Sequence, residues 1–424
     1  MNAKTTRRRW GVLITRGFAD GVRARNRSRF VAAVATLVLT TAAAACDSSS
    51  DSSGPGSSGV GSSGAGGGVG GGAGSSGAGG ASGSNQGGTG GAQGQRAGWL
   101  YTEGNHIRWE DGSVFRGRGA NLQDTRSCWT CAWNPPDADE VMRRADVLLD
   151  DWKADFVRLT LESYGANSDE RSQGAVQYGT VLEDPDYLSD IQRIVTHMTA
   201  KPGVVVHLSL WVDPSIDASG WPTAQTAQEW KRLAHAFKDE PHVIFGLVNE
   251  PENNFSGDQD DAVWQAMNST VTAIREQEDD DGTPHHVVAV QGTGGWSRFL
   301  DYYTRFPITA GGGDNVAYEV HVYDPESDFP ARFEEPAASI PVIIGEFGPV
   351  DEPGVATMTQ QDCAALMGRA EALEIPYLGW TFHMNCPPNL LQATASGCGV
   401  GADLLPSDWG TLLRTRLSSP YAQQ

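Results

Sequence analysis

The chain has 424 residues, with 52 Asp and Glu against 31 Lys and Arg, and a formal net charge of −21 at neutral pH. That balance excludes nucleic acid and anionic membrane surfaces as partners held by charge, and it says nothing about the fold. The part that looks globular, residues 98–424, is long enough for one large or two modest domains.

Residues 1–45 read as an export signal. Seven arginines (Arg7, Arg8, Arg9, Arg23, Arg25, Arg27 and Arg29) form a basic region, and an uncharged run from Phe30 to Ala45 ends in small residues before Cys46. The run is shorter than the roughly 20 residues a membrane-spanning helix needs. Ala43-Ala44-Ala45-Cys46 resembles a bacterial lipobox, which predicts cleavage before Cys46 and lipidation of its thiol. The alternative is an ordinary cleavage site with Cys46 as a bystander.

Residues 46–97 are almost wholly Gly, Ser and Ala. They bury too little to offset their ordering entropy, so a flexible tether spanning roughly 40 Å is expected. The expected product is exported and either held at a membrane through its lipid or released. Residues 1–45 hold nine Lys and Arg and one acid, so the mature chain carries 22 basic and 51 acidic residues, a net charge of −29.

The domain opens with Leu100-Tyr101, Ile107-Arg108-Trp109, a Glu-Asp-Gly turn and Val114-Phe115-Arg116, which predicts a short hairpin. Gly-rich Arg118–Leu122 supplies a first strand. Apolar runs follow at Phe156–Leu161, Val204–Leu210, Val243–Val248, Val287–Val290, Val316–Val322, Val342–Ile344 and Tyr377–Phe382. Helical patterns separate most of them: Asp137–Trp152, Leu188–Thr199, Ala224–Phe237, Asp261–Glu276, Gln361–Leu373 and Asp408–Leu417. Apolar strands alternating with helices imply parallel βα units, and eight of them fit an α/β fold of the (β/α)8 TIM barrel type behind an N-terminal hairpin. A doubly wound open sheet is the runner-up, but no Gly-rich phosphate fingerprint follows an early strand. No internal repeat or second linker appears, so residues 98–424 are expected to form one domain, and a monomer.

Cys128 and Cys131 form a CxxC without a second pair at zinc-site spacing, so a local bridge is preferred. Cys386 and Cys398 bracket a Pro/Gly/Ser-rich loop they could staple, which leaves Cys363 as a buried thiol. Asp279-Asp280-Asp281-Gly282 lacks the alternating ligands of a calcium loop and reads as a solvated loop. No metal, phosphate or serine-nucleophile pattern appears, and no cofactor is expected.

Two apolar strands end in glutamate. Residues 242–248 lead into Asn249-Glu250-Pro251, and residues 340–345 lead into Glu346-Phe347-Gly348. A charged carboxylate at the mouth of a buried strand is costly unless it is paired or used. One such glutamate is more often an ion-pair partner. Two, closing separate strands of one barrel, are the pair that glycosidic cleavage requires: the acetal oxygen needs a proton donor, and the anomeric carbon needs a carboxylate opposite.

Leu247-Val248-Asn249-Glu250-Pro251 together with Ile344-Gly345-Glu346-Phe347-Gly348 resembles glycoside hydrolase family 5, the cellulase-type family of clan A. The likeness runs from about Leu100 to Leu417 and takes in Gly119-Ala120-Asn121, Arg158, His321-Val322-Tyr323 and Leu378–His383.

The resemblance implies Glu250 as acid and base and Glu346 as the nucleophile of a retaining β-glycosidase. It implies Asn249 on the sugar 2-hydroxyl, Arg158 and Tyr323 on Glu346, His321 on sugar or Glu250, and Trp380 beneath the reacting ring. Asn121 belongs to the same supporting set. For Arg158 the alternative is a structural ion pair, for His321 and Tyr323 a satisfied polar network with Glu319, and for Trp380 a core position. The family shows an acidic residue and a His late in the third barrel strand, whereas this chain offers His207, Ser209 and Trp211 in phase. His207 either touches substrate or is a hydrogen-bonded core residue. Trp211, Trp221 and Trp296, with Trp129 and Trp133, either line a glycan cleft or pack beneath loops.

The implied substrate is a β-1,4-linked polysaccharide or oligosaccharide, glucan before mannan, with exo-acting β-glucosidase action as an alternative. A non-catalytic glycan-binding lipoprotein is the competing class, and binding alone would not require both glutamates.

Overall fold

The structure, a computed structural model, describes residues 98–125, 133, 135–161, 179–211, 219–351 and 357–421. The expected signal, tether and Cys46 lie outside these residues, as do Cys128, Trp129 and Cys131. Two three-residue strands, β1 (Tyr101–Glu103) and β2 (His106–Arg108), form the small antiparallel hairpin. Eight more close a parallel barrel: β3 (Arg118–Gln123), β4 (Phe156–Leu161), β5 (Val205–Leu210), β6 (Val243–Gly246), β7 (Val287–Gln291), β8 (Val316–Val322), β9 (Val342–Phe347) and β10 (Tyr377–Gly379). Leu378 pairs with Gly119 to complete the ring. The open-sheet alternative is thereby excluded.

Every barrel strand is buried along its whole length, which is why these segments read as apolar runs rather than alternating ones. Outward side chains such as Val157, Val206, Phe245 and Ile344 join the helix layer. Inward ones such as Phe156, Val205, Ile244, Val287, Ala317, Ile343 and Leu378 form a separate cluster with Leu100, Ile107, Trp109 and Phe115. The hairpin region thus plugs the barrel at the N-terminal ends of its strands, each buried apolar side chain contributing about 1.5–3 kcal/mol. Trp99 packs edge-on against His286, one residue before β7. The described chain therefore enters at the end opposite the strand termini that carry Glu250 and Glu346.

The principal helices are Ala138–Asp146, Pro185–Thr199, Ala224–Ala236, Asp260–Asp281, Gln360–Ala372 and Asp408–Leu417. Their starts carry local signals: Asp184 caps with Pro185 in the first turn, and Thr223 and Thr359 form capping boxes. Boundaries differ from the sequence expectations in a few places. The first helix ends in a π turn over Val147–Asp151. Asp279, Asp280 and Asp281 close the Asp260–Asp281 helix rather than forming a loop, because Gly282 at φ 67° supplies the left-handed cap beyond them. β10 stops at Gly379, where the Thr381 N–H leaves the ladder for the Pro388 carbonyl at 3.1 Å. After β7 and β8 only short helical turns occur, including Asp301–Arg305 and Pro330–Glu334.

Cys363 is free and buried, as expected. Cys386 and Cys398 are not free thiols. Among the described residues no helix is long and apolar enough to cross a membrane.

Candidate active site

The site forms where β3, β4, β8 and β9 direct polar side chains into the barrel just below its mouth. Strand register places Asn121, Arg158 and His207 side by side on β3, β4 and β5. Arg158 is fully buried and makes four contacts. Its Nη1 donates to Glu346 Oε1 at 2.8 Å and to Asn121 Oδ1 at 2.9 Å, and its Nη2 donates to Asn249 Oδ1 at 2.8 Å. Its Nε lies 3.0 Å from Glu319 Oε1 as an ionic contact. The Asn121 amide also donates to the Gly345 carbonyl at 2.9 Å, bracing the β9 backbone beside Glu346.

Glu346 points inward because β9 breaks its own period. Ile343 faces the barrel interior and Ile344 the helix layer. Strict alternation would then send Glu346 outward. Both neighbouring strands show an extra residue here: Val320 pairs with Ile344 but His321 with Glu346, and Tyr377 pairs with Ile344 but Gly379 with Phe347. This bulge re-aims the carboxyl group inward. Gly345 is the residue that permits it, since a Cβ there would lie 1.9 Å from Glu319 Oε1.

Glu250 stands beyond β6 with φ 41°, a left-handed backbone that is uncommon for a non-glycine residue. Its side chain retains 28% exposure while that of Glu346 retains 5%. His321 Nδ1 lies 2.8 Å from Glu250 Oε1 and 3.5 Å from Glu346 Oε2, and its Nε2 lies 3.1 Å from Glu319 Oε1. The Tyr323 hydroxyl donates to Glu346 Oε2 at 2.9 Å. One carboxylate oxygen from each of Glu250 and Glu346 and one ring nitrogen of His321 lie within 4.8 Å of one another.

The electrostatics follow from this crowding. Burial first, then the nearby Glu250 charge, pushes Glu346 up to about 7, against the pull of His321, Arg158 and Tyr323. Burial would depress His321, but Glu346, Glu250 and Glu319 override it and raise the ring to about 9. Burial would raise Glu319, yet the cationic Arg158 and His321 hold it at about 2. With Arg158 and His321 cationic, ionised Glu319, Glu250 and Glu346 would leave the cluster one charge negative. A single proton shared by the Glu250–Glu346 pair brings it to neutrality.

The remaining aromatic candidates divide. Trp211 and Trp380 stack at 6.4 Å with 18° between their planes, both partly exposed at the mouth. Trp296 sits in a tight turn at φ 59°, its N–H donating to the Pro251 carbonyl beside Glu250 and its ring edge-on to Phe255 at 4.8 Å. Trp133 is a packing residue: it is buried, donates to the Cys398 carbonyl and lies under the Arg144 guanidinium. Trp221 is tied to the Glu252 carbonyl at 2.7 Å and leans on the core.

His207 is fully enclosed, stacked on Phe156 and 3.3 Å from Glu319, so it has no direct route to a substrate. Burial, aided by the charges of Arg158 and His321, lowers it to about 4, which keeps it neutral. Glu319 is the participant the sequence reading left as a bystander. Its signal was the alternation of Glu319, His321 and Tyr323 with Val320 and Val322. Asp324, bonded by both Arg298 and Arg332, went unnoticed because its partners come from separate connections.

A (β/α)8 barrel with two carboxyl groups converging at the carboxyl ends of its strands is the framework of a glycoside hydrolase. The profile of the cellulase family, glycosyl hydrolase family 5, matches residues 111–385, and the chain belongs to that family. Among curated relatives it is 26% identical over 272 residues to the endoglucanase MaCel5A of a Microbulbifer species, covering 60% of this chain and 47% of that protein. It is 22% identical over 289 residues to the Streptomyces lividans endoglucanase CelA, covering 65% and 56%. The chain thus spans about half the length of these relatives. Among solved structures, the catalytic domain of Thermobifida fusca endoglucanase Cel5A superposes with a TM-score of 0.57 at 19% identity, over 78% of this chain and all of that one. A β-mannanase from Streptomyces thermolilacinus superposes at 0.54 and 19% identity, over 74% and 92%. Both likenesses speak to the fold.

Proposed function

We propose that this protein is a retaining β-glycoside hydrolase acting on β-1,4-linked polysaccharide, as an endo-β-1,4-glucanase. The observation that carries the reading is the approach of Glu250 and Glu346, with carboxylate oxygens within 4.8 Å of each other. Retaining enzymes hold their carboxyl groups about 5–5.5 Å apart, whereas inverting ones leave about 6.5–9.5 Å for a water.

Arg158 and Tyr323 donate to Glu346 and oppose the upward push of burial, so the ionised member of the pair is assigned there and it serves as nucleophile. The shared proton then belongs on the more exposed Glu250, which passes it to the leaving oxygen as Glu346 attacks the anomeric carbon. Glu250 next takes a proton from the water that displaces Glu346, so two inversions restore the β configuration. Asn249 keeps its amide N–H groups for the sugar 2-hydroxyl, since its Oδ1 accepts from Arg158. Trp211 and Trp380 offer flat apolar faces for sugar rings.

Glucan is favoured by the endoglucanase relatives and by cellotetraose complexes of two structural neighbours. The mannanase neighbours keep β-mannan as the second reading. The test is a panel of carboxymethyl-cellulose, glucomannan, xylan and β-1,3-glucan, with product sizing and proton NMR of the first product. Internal cleavage of carboxymethyl-cellulose with β-anomer formed first is the expected result. An initial α-anomer would overturn the retaining assignment, and cleavage of glucomannan without carboxymethyl-cellulose would favour mannan.

We further infer that the chain is an exported lipoprotein anchored at Cys46, with residues 46–97 as tether and residues 98–424 as catalytic domain. The lipobox-like sequence supports this, and so does the entry of Gly98 and Trp99 at the barrel end away from the site, which lets the mouth face outward. Cys46→Ser is expected to move the protein from membrane to soluble fractions. Retention in the membrane fraction would refute the anchor.

A further inference from the structure

We propose that Glu319 is a positioning residue that locks His321 with its Nε2 protonated, so that the opposite Nδ1–H is aimed at Glu250. The inference rests on the acid and base role proposed for Glu250. It goes beyond that role by assigning a residue that touches neither glutamate of the pair.

The geometry is that of a carboxylate–imidazole–carboxyl relay running from β8 to the mouth. Glu319 Oε1 lies 3.1 Å from His321 Nε2, and the opposite ring nitrogen lies 2.8 Å from Glu250 Oε1. A carboxylate only accepts, so Nε2 must carry hydrogen whatever the charge on the ring. The tautomer is thereby fixed. When Glu250 has given up its proton, Nδ1–H donates to the carboxylate, and when Glu250 carries the acid proton, the same N–H faces its carbonyl oxygen. Placing an acidic group behind a histidine to hold its orientation is the same logic that steadies the imidazole of a hydrolase triad.

Glu319 reaches the reacting pair only through the side chains it holds. It is fully buried with no access to substrate, below the polar layer at the mouth and above the apolar cluster that fills the barrel's other end. Such a carboxylate is costly to keep unless it is paired. The groups facing it are Arg158 from β4, at 3.0 Å, His207 from β5, at 3.3 Å, and His321 on its own strand. Gln291 is its register partner on β7 and is uncharged. From β9 comes Gly345, whose missing side chain makes the space: a Cβ would stand 1.9 Å from Glu319 Oε1. On β6, Gly246 does the same for His207, where a Cβ would lie 2.2 Å from Nε2. Two strands have thus given up side chains around one buried anion. Neutral His207 adds no third cation, so Arg158 and His321 balance Glu319 and the singly protonated pair above it. His321 faces Glu250 and Glu346 on its other side, and among the described residues Glu319 is its one acceptor at Nε2.

The experiment is NMR of the protein with 15N-labelled histidine, the His321 signals being identified by their loss in His321→Gln. In the unmodified protein both His321 nitrogens are expected to be protonated at pH 7.5, and Nε2 to remain protonated at every pH that preserves the fold. In Glu319→Gln the His321 titration is expected to fall by a full pH unit or more. Turnover should drop by about 10- to 100-fold, the scale for residues that orient another side chain, with KM little changed. Glu319→Asp, which retains the charge, should keep the ring cationic at neutral pH. An unmoved His321 titration in Glu319→Gln would show that Glu319 only fills space, and would overturn the proposal. If Glu319→Gln does not fold, the unmodified protein decides: a neutral His321 at pH 7.5, or one protonated at Nδ1 alone, overturns it. A shifted His321 in an enzyme that releases the α-anomer first would leave this inference standing and refute the retaining reading.

Discussion

Glu346→Gly is expected to abolish turnover, and Glu250→Ala to divide the reaction into a step that survives and a step that stalls. Removing Glu346 deletes the group that attacks the anomeric carbon, with a loss on the order of 10⁶-fold, the scale seen when a covalent nucleophile is removed. The vacated volume between Arg158, Tyr323 and His321 can admit azide. Azide would attack from the same face and leave an α-glycosyl azide by a single displacement.

Glu250→Ala removes the proton donor and the later base, which costs about 10²–10⁴-fold on natural substrates. Aryl glycosides with good leaving groups need no proton, so they should still form the glycosyl-enzyme, which then accumulates because no base activates water. Azide would resolve that intermediate by a second inversion and yield the β-glycosyl azide. Opposite azide anomers from the two variants are the expected result, read by proton NMR. The same anomer from both would show that the pair has been misassigned.

The pH profile belongs to the same test. The unmodified enzyme needs one proton on the Glu250–Glu346 pair, and Glu346 is raised to about 7. As pH rises through that value the proton is lost, so kcat/KM should fall on the alkaline side. In Glu250→Ala assayed with an activated aryl glycoside, that limb should vanish, because the ionised nucleophile alone is then required. A limb unchanged in the variant would place the essential proton elsewhere.

Arg158→Met should cost both activity and stability. The guanidinium serves Glu346, Asn121, Asn249 and Glu319 from a site with no exposure. Removing it strands two buried carboxylates, and breaking a buried pair costs about 3–5 kcal/mol. The pH dependence has a definite sign. Glu319 is held at about 2, below its ordinary carboxylate range, so its ionic contribution is full at neutral pH and is lost progressively as pH falls from that ordinary range to about 2. The difference in unfolding free energy between Arg158→Met and the unmodified protein should therefore be largest near pH 7 and shrink in acid. Denaturant titrations at pH 7 and pH 3 measure it. An equal difference at both would mean that lost packing, not charge, sets the cost. Arg158→Lys should restore part of the stability but little of the activity, because one ammonium cannot reproduce the planar fork that reaches Glu346 and Asn249 together.

The sequence by itself determined the barrel, its hairpin and the two strands that end in glutamate. Those features are local: apolar runs of strand length, caps such as Asp184-Pro185, and polar residues at the ends of apolar runs. It also brought out Arg158, since a charged residue inside an apolar run needs a partner, and through the family resemblance Asn249, His321 and Tyr323. What it could not decide was which residues meet across the ring. His207 had equal standing as substrate contact or core residue until β5 was seen to turn it inward against Glu319. Trp133 and Trp211 looked alike as aromatic residues in connections, yet one packs beneath Arg144 and the other stacks on Trp380.

The direction of Glu346 was decided only by tertiary structure. The period of two along Val342–Phe347 assigns it to the outer face, and nothing in the segment announces the bulge. The extra residue exists because β8 and β10 both pair around Gly345, and because a side chain at Gly345 would collide with Glu319. Strand period is a property of one segment, but register is a property of three strands closing together, and the orientation of Glu346 depends on the latter.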